Sequence, residues 1–371
     1  MKSHIHVVSF DVPFPADYGG VIDVFYKIQS LVHLGVGVTL HCYQYGRAQS
    51  EELERLCDRV YYYPRITGWT SAWNREPYIV YSRRSSQLLS HLLEDEDPIL
   101  FEGLHTCHFL AHPALASRHR IVRMCNIEHE YYHYLSLGAS SLFHKVFFST
   151  ESQRLKSFEK ILSSAHHILA ITPREREYFA EHYPKAQSLW VSGFHGDALV
   201  HGLSGRGEYF LFHGNLSVTE NRLAVERLLP LAPSFPLPLV VAGRNPSSAL
   251  TQSIRNTPNV CLEADISGDR MEDLITNAMA HILLTQQPTG LKLKLLNALY
   301  LGRYVVANRE MVYGTGLEAV VCTVRDDAEL ITQVQRIASR DFTDTEREHR
   351  RTILSPRYDD AYNAELIRQI L

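Results

Sequence analysis

Paired cysteines are missing from this sequence. Its six cysteines, Cys42, Cys57, Cys107, Cys125, Cys261 and Cys322, are scattered through 371 residues, and none of them forms a CxxC pair. This spacing argues against a disulfide framework and against a structural zinc site. We therefore expect the protein to work in a reducing cytoplasm.

Long hydrophobic runs are missing too. The first apolar run, Ile5 to Phe10, ends at Asp11 and is too short for a signal peptide, and no later segment reaches the roughly 20 apolar residues of a membrane span. Any action at a membrane would be peripheral, at its inner face. An aromatic-rich stretch, Tyr61 to Tyr63 with Trp69 and Trp73, suits contact with an acceptor or a membrane surface, or else a buried edge or plain loop packing.

An excess of positive charge is also missing. The chain carries 37 lysines and arginines against 41 acidic residues, for a net charge of −4, and the two signs are interspersed. Without a basic patch, nucleic acid is a poor candidate for a partner. The 45% hydrophobic content and the length fit two globular domains of roughly 100 to 200 residues each.

Alternating strand and helix patterns fill the chain. Apolar runs typical of buried strands are separated by amphipathic segments, which predicts an α/β fold with parallel sheets covered on both faces. The glycine-rich stretch "HGDALVHGLSGRGE" interrupts the alternation. We expect two doubly wound, Rossmann-like domains that face a central cleft, with residues 1–195 and 208–356 joined by a hinge at 196–207.

Two lysines stand out in the apolar stretch "TGLKLKLLNALYLG". Gly290 ends a predicted strand, and Lys292 and Lys294 enter the helix predicted from Leu291 to Tyr300. Backbone N–H groups of residues 290 to 292 would then form an anion site at the helix N-terminus, with the lysines adding full positive charge. The alternative interpretation is that both lysines extend from an amphipathic surface helix into water.

Two further strand ends of the second domain carry similar signals. Gly214 and Asn215 follow the strand "YFLFH", and Gly214 would let the backbone approach a ligand closely. Arg244 follows "LVVAG" and could grip a diphosphate, although a surface salt bridge explains it equally well. Taken together, the three strand ends predict a phosphorylated ligand.

Glycines and polar side chains also follow strands of the first domain. Gly19 and Gly20 precede a helix and suit either a ligand's phosphate or sugar, or a tight turn. In parallel sheets, hydroxyl-rich ligands are bound by polar groups at the carboxyl ends of the strands. The candidates here are Glu102, His105, Asn126, Glu128 and His129.

With "FHGNL", "AGRNP" and "TGLKLKLLNALYLGRYVVAN" in this order, the sequence resembles the two-domain GT-B glycosyltransferases, in particular the group around glycosyltransferase family 4. The resemblance covers nearly the whole chain. It implies a cytoplasmic enzyme that transfers a sugar from a nucleotide-diphosphate donor to a glycan or lipid-linked acceptor, as in polysaccharide biosynthesis. It also implies an anomer-retaining reaction without metal or cofactor, and a C-terminal helix, 357–371, that crosses back to the first domain.

The resemblance also assigns roles. Gly19 and Gly20 would face the donor diphosphate, His105 would contact the donor sugar, and Arg244 and Lys292, with Lys294, would neutralise the leaving group. The sequence departs from the family's pattern at three positions. Thr289 and Asn297 stand where the family has two glutamates separated by seven residues, and Cys125 replaces the histidine before "NIE", which leaves Asn126 and Glu128 as matches.

Other activities stay open. An inverting enzyme would need a general base, for which Glu128 or His129 is available. A non-hydrolysing sugar-nucleotide 2-epimerase shares the scaffold and needs no acceptor. A catalytically impaired binding subunit would also be consistent with Thr289 and Asn297 in place of the two acids.

Overall fold

The structure, a computed structural model, describes residues 3–68, 76–139, 141–197 and 199–371; Trp69 and Trp73 lie outside them. The described residues form two compact units. The first runs up to Gly196 and includes two later segments, Thr289–Leu291 and Pro356–Leu371. The second comprises Asp197–Pro288 and Lys292–Ser355.

The first unit is built on a seven-stranded parallel sheet in the order β3-β2-β1-β4-β5-β6-β7. Its central strands are apolar on both faces because helices cover both sides, and a separate apolar core lies on each face. The strands are β1 His4–Ser9, β2 Gly37–Gln44, β3 Arg59–Pro64, β4 Ile99–Glu102, β5 Arg120–Met124, β6 His167–Ala170 and β7 Gln187–Trp190.

Helices connect these strands. Three short 3₁₀ helices, Leu104–Phe109, Pro113–Leu115 and Glu159–Ser164, accompany them. The first helix begins at the predicted glycine pair, and the seventh is capped by Thr172, which accepts from the Glu175 N–H, with Pro173 as the first helical residue. The α-helices are α1 Gly19–His33, α2 Glu51–Leu56, α3 Tyr78–Tyr81, α4 Ser86–Leu92, α5 Glu128–Gly138, α6 Leu142–Phe158 and α7 Pro173–His182.

The second unit has a six-stranded parallel sheet in the order β10-β9-β8-β11-β12-β13. Its strands are β8 Phe210–His213, β9 Leu239–Gly243, β10 Val260–Ala264, β11 Ala280–Leu283, β12 Tyr304–Asn308 and β13 Cys322–Val324. Its helices are α8 Thr219–Leu228, α9 Ser248–Arg255, α10 Gly268–Asn277, α11 Leu293–Leu301, α12 Arg309–Val312, α13 Asp327–Ala338 and α14 Asp344–Leu354.

Both sheets reverse their strand order beside the first strand, between β1 and β4 and between β8 and β11. Ligands of doubly wound sheets bind outside the carboxyl ends of the strands at such a reversal. The loops after β1, β4, β8 and β11 therefore lie where a ligand of each unit is expected.

The last helix, α15 Asp360–Arg368, packs in the first unit against α1. The Asn363 side chain accepts from the Ser192 N–H at 3.0 Å, and Asp360 accepts from the N–H groups of His195 and Gly196. Ala364 and Ile367 complete one of the two cores of this unit. Among the described residues, no helix has the length and apolar character needed to cross a membrane.

Candidate functional site

The loops after β8 and β9 touch each other in the second unit. Gly214 has φ +151, and a Cβ atom on it would lie 2.9 Å from the Asn221 Nδ2. A Cβ atom on Gly243, at the end of β9, would lie 1.9 Å from the Gly214 carbonyl oxygen. Both positions require glycine, because a side chain on either would overlap the Asn221 side chain or the Gly214 backbone.

Lys294 lies in the first turn of α11 and contacts α8 and β8, the elements on either side of this loop. Its Nζ donates to the Asn221 Oδ1 at 2.8 Å and lies 5.1 Å from the centroid of the Phe212 ring. No described carboxylate forms an ion pair with it, and burial lowers the pKa of Lys294 from 10.5 to about 8, with nearby Glu220 opposing the shift. A half-buried cation without an acidic partner is a suitable place for an anion.

Lys292 is placed differently. The helix begins at Leu293, two residues later than predicted, so Lys292 is the N-cap residue, and its Nζ donates to the Gln287 carbonyl oxygen of its own loop. Asn297 is half-buried one turn further along α11. Arg244 is exposed just after β9, where its carbonyl oxygen accepts from the Leu216 N–H at 2.8 Å. Lys294 therefore contacts the two elements that flank the Gly214 loop, whereas Lys292 contacts its own loop.

The loop Thr289–Leu291 packs within the first unit. The Gly290 N–H donates to the Glu175 Oε1 at 2.7 Å, and the Thr289 hydroxyl donates to the Asn126 Oδ1 at 3.4 Å. The expectation that the Gly290 N–H points from a helix N-terminus to an anion is therefore wrong, because α11 begins later and Glu175 takes this N–H. Gly290 has φ +67, and a Cβ atom on it would lie 2.2 Å from the Asn126 Oδ1.

We expect Gly290→Ala to displace this loop. The left-handed backbone alone costs alanine about 1–2 kcal/mol, and the methyl group would overlap the Asn126 side chain. The unfolding midpoint in urea should fall. Gly268→Ala is the matched control, since a Cβ atom at Gly268 meets nothing within 4 Å. Equal shifts for both variants would contradict this account of the loop.

His105 lies beyond β4 in the first unit, with its ring 5.4 Å from that of Phe10, which follows β1. Its Nδ1 is buried and has no hydrogen-bond partner among the described residues. Burial, followed by Arg83 and Arg65, holds the pKa of His105 well below its ordinary value, so the ring is neutral near pH 7. A neutral imidazole with an unpartnered nitrogen can bind a hydroxyl group.

Glu128 is the first residue of α5 and is buried. Burial, followed by the charges of Glu159 and Glu175, raises the pKa of Glu128 to about 8. Its carboxyl group is therefore mostly protonated at neutral pH and could donate a hydrogen bond. His129 faces α7, where its Nε2 lies 3.0 Å from the Tyr178 hydroxyl, so its ring is already engaged.

Glu102 ends β4 inside a buried charge cluster formed by Asp23, Lys27, Glu102 and Arg123. The Lys27 Nζ lies 2.8 Å from the Glu102 Oε1 and 3.0 Å from the Asp23 Oδ2. Arg123 donates to Asp23 through its Nε and one terminal nitrogen. These contacts account for Glu102 as a support of the sheet edge.

An open cavity of about 560 Å³ adjoins the carboxyl ends of β1 and β2. Phe14 and Asp17 line it from the loop that leads to Gly19 and Gly20, and Arg47 and Gln49 line it from the loop after β2. Arg47 donates to the Asp17 Oδ1 at 2.8 Å. Its volume lies in the range of small-molecule sites, and its lining residues were not predicted.

Other residues of these sites were also missed. Glu175 has no local signal, because its partner is 115 residues away along the chain. Asn221 offered one, since it lies in the first turn of the helix that follows the Gly214 loop. An amide at that position can meet either the loop backbone or a ligand.

Comparison with known proteins decides the fold. No protein-family model matches the chain. An uncharacterized 44.6 kDa protein in the cps region of Klebsiella pneumoniae is 30% identical over 168 residues, which make up 43% of this chain and 43% of that protein. The match thus spans less than half of the relative's length.

Solved structures match over almost the whole chain. HepE from Anabaena, in complex with UDP and glucose, is 13% identical over 100% of this chain and 99% of its own, with a TM-score of 0.63. A UDP-forming trehalose-phosphate synthase from Burkholderia xenovorans, in complex with glucose-6-phosphate, is 10% identical over 99% of each chain, with a TM-score of 0.65. The fold is GT-B. A glycosyltransferase from Rickettsia africae is 12% identical over 100% of this chain and 97% of its own, with a TM-score of 0.63. The predicted pair of parallel-sheet α/β units is confirmed.

Proposed function

We propose that this GT-B protein is a glycosyltransferase that moves a sugar from a nucleotide-diphosphate donor to a glycan or lipid-linked acceptor. The observation that carries the proposal is Lys294, a half-buried cation that forms no ion pair among the described residues and donates to Asn221, whose Nδ2 in turn donates to the Asn215 carbonyl oxygen of the loop after β8. The Anabaena neighbour holds UDP and glucose, which supports a nucleotide sugar as the donor.

The proposed reaction requires the second unit to stabilise negative charge on the leaving diphosphate. As the bond between the anomeric carbon and the diphosphate breaks, negative charge builds on the diphosphate oxygens. Lys294 would neutralise that charge, with Arg244, Lys292 and the N–H groups at the starts of α8 and α11 in support. These groups supply positive charge without a metal or cofactor, which supports a metal-independent reaction. Asn297 would hydrogen-bond the nucleotide ribose.

The first unit would bind hydroxyl groups of the sugar donor and the acceptor. The unpartnered Nδ1 of His105 suits a hydroxyl of the donor sugar, and Gly19 and Gly20 leave room beside the start of α1. Asn126 and Glu128 would add further polar contacts. The cavity lined by Arg47 and Gln49 would hold the acceptor.

We further propose retention of the anomeric configuration. A general base must be deprotonated to act, and the pKa of Glu128, about 8, keeps its proton on at neutral pH. In a retaining route the departing phosphate oxygen takes the acceptor's proton, so no protein base is needed. Determining the anomeric configuration of the product by NMR tests this step, and an inverted product would refute it.

Thermal unfolding in the presence of nucleotides tests the function. A ligand that binds only the folded state at 100 times its Kd adds about 2.7 kcal/mol of stability. We expect UDP, GDP or one of their sugar conjugates to raise the midpoint for the wild type and for Lys185→Ala, an exposed control, but much less for Lys294→Ala. A panel without any shift would refute nucleotide binding, and conversion of a sugar nucleotide to its epimer without an acceptor would support the epimerase.

Diphosphate binding should weaken at alkaline pH. Only the ammonium form of Lys294 attracts the diphosphate, and its pKa in the folded protein is about 8. Since phosphate's own second pKa lies near 6, titration calorimetry with UDP should give a constant affinity near pH 7 and a decline above pH 8. The decline should approach about tenfold per pH unit.

Proton linkage gives the direction in which Lys294 changes the stability of the folded protein as the pH rises. Between about 8 and 10.5 the folded protein holds fewer protons at Lys294 than the unfolded chain, so this group's contribution to stability rises with pH across that window. The decline in affinity therefore reflects loss of the ammonium charge and not unfolding caused by this lysine. Lys294→Arg stays charged and should abolish the decline; an unchanged pH profile in that variant would contradict the assignment.

A further inference from the structure

The end of α5 and the start of α6 carry an unusual concentration of exposed apolar side chains. Leu137 is 64% exposed, Leu142 77%, Phe143 63% and Val146 59%. They make up four of the twelve exposed large hydrophobic side chains in the described part of the chain, within ten positions. We call these four residues the hairpin tip. Such a concentration on a protein surface marks an interaction site.

The apolar side chains at the start of α6 share one face of the helix. Every residue from 141 to 146 is exposed, and Leu142, Phe143 and Val146 lie within about 100° of one another around the helix axis. A helix with an exposed apolar face can lie in the surface of a lipid bilayer, with that face at the boundary between headgroups and acyl chains. A groove on a protein is the other surface that takes such a face, so the charges beside it decide between the two.

The charges around the hairpin tip favour a lipid surface with anionic headgroups. From residue 131 to residue 150 the sequence contains no aspartate or glutamate, although the whole chain has a net charge of −4. The charged group in this stretch is Lys145, which is exposed among the apolar residues, and His133 and His144 accompany it. Acidic side chains are absent where they would repel anionic headgroups, and a lysine is present where it would attract them.

We propose that the hairpin tip inserts into the surface of an anionic lipid bilayer and holds the protein there peripherally. The apolar side chains enter the boundary between headgroups and acyl chains, and Lys145 lies among the headgroups. This inference goes beyond the proposed function because it concerns where the protein works, and it holds whether or not the protein transfers a sugar.

Vesicle sedimentation with the full-length protein tests the proposal. The wild type should sediment with phosphatidylcholine vesicles that contain phosphatidylglycerol, and less with pure phosphatidylcholine. Leu142→Ser with Phe143→Ser should lower the partition coefficient by about tenfold or more, since each apolar group withdrawn from the bilayer weakens binding. Lys145→Glu should weaken binding to the anionic vesicles and leave the weak binding to neutral ones unchanged.

Matched controls separate the hairpin tip from general surface effects. Leu93→Ser with Leu199→Ser removes two exposed leucines elsewhere, and Lys185→Glu reverses an exposed charge elsewhere in the first unit. Both controls should sediment like the wild type. Wild-type protein that stays in the supernatant, or control variants that lose binding as much as the tip variants, would overturn the proposal. A self-associated species in light scattering that only the tip variants abolish, without vesicle binding, would assign the tip to a second copy of this chain.

Discussion

Lys294→Ala is expected to lower donor turnover by about 10²- to 10³-fold, the cost of removing a group that stabilises developing negative charge. The free energy of unfolding should stay the same or rise, because the ammonium group is half-buried and has no ion-pair partner among the described residues. Loss of activity without loss of stability is the signature of a group that serves a ligand. Steady-state kinetics with the donor found in the thermal screen, together with urea unfolding, measures both.

Two further variants locate the effect. Lys292→Ala removes a lysine that donates to the Gln287 carbonyl oxygen, so we expect a smaller loss of turnover. Lys185→Ala should behave like the wild type. A Lys294→Ala enzyme within about threefold of wild-type kcat/KM would mean that the diphosphate binds elsewhere.

Lys27→Met should be the most destabilising of the changes considered. The ammonium group is fully buried and holds both the Glu102 and the Asp23 carboxylates. Asp23 keeps Arg123, but Glu102 loses the side chain that hydrogen-bonds to it. Breaking a buried ion pair from one side costs about 3–5 kcal/mol. Urea unfolding at neutral pH measures the loss, and Lys185→Met should stay within about 0.5 kcal/mol.

The pH dependence of this variant identifies the cause. Burial raises the pKa of Glu102 above its ordinary value and Lys27 opposes the shift, so removing Lys27 raises that pKa further. The folded variant then holds more protons than the unfolded chain above the ordinary glutamate pKa. Its stability deficit should shrink as the pH falls through the raised pKa. Adding Glu102→Gln should recover most of the loss at neutral pH; a double variant as unstable as Lys27→Met would refute the explanation.

The central strands could be predicted because parallel strands buried on both faces are short, continuous apolar runs. The two strands that the sequence pattern did not predict, β3 and β13, are both edge strands. β3 is a half-buried aromatic run, and β13 has only three residues, so neither carries a strong apolar pattern. Their place in the sheets follows from parallel pairing with β2 and β12, the strands that precede them in the chain.

Among the helices that the sequence pattern did not predict, α14 and α5 were missed for opposite reasons. α14 is so rich in charge that it lacks an obvious apolar face, yet its capping box, Thr343 with Glu346, is visible in the sequence and could have revealed its start. α5 mixes polar and aromatic residues almost evenly around its axis, and no side chain caps it. Its identity as a helix depends on packing against α6.

The candidate site shows the same contrast between features with a local sequence signal and features that depend on distant residues. Gly214 and Lys294 could be predicted because a strand end, a glycine and a helix start are local features. The partners of the charged groups could not. Nothing local distinguishes Glu175, which binds the Gly290 N–H, from a helix surface glutamate, and nothing local shows that Arg123 pairs with Asp23 one hundred residues earlier.

The division of the chain has a consequence for biosynthesis. The first unit includes Pro356–Leu371, so α15 joins it only after the whole second unit has been translated. Until then, the core beside α1 lacks Ala364 and Ile367, and the Ser192 N–H lacks the Asn363 side chain. Domains of a growing chain usually fold in order from the N-terminus. Here the unit that begins first cannot be completed until the other has been made, which leaves an apolar surface open during synthesis.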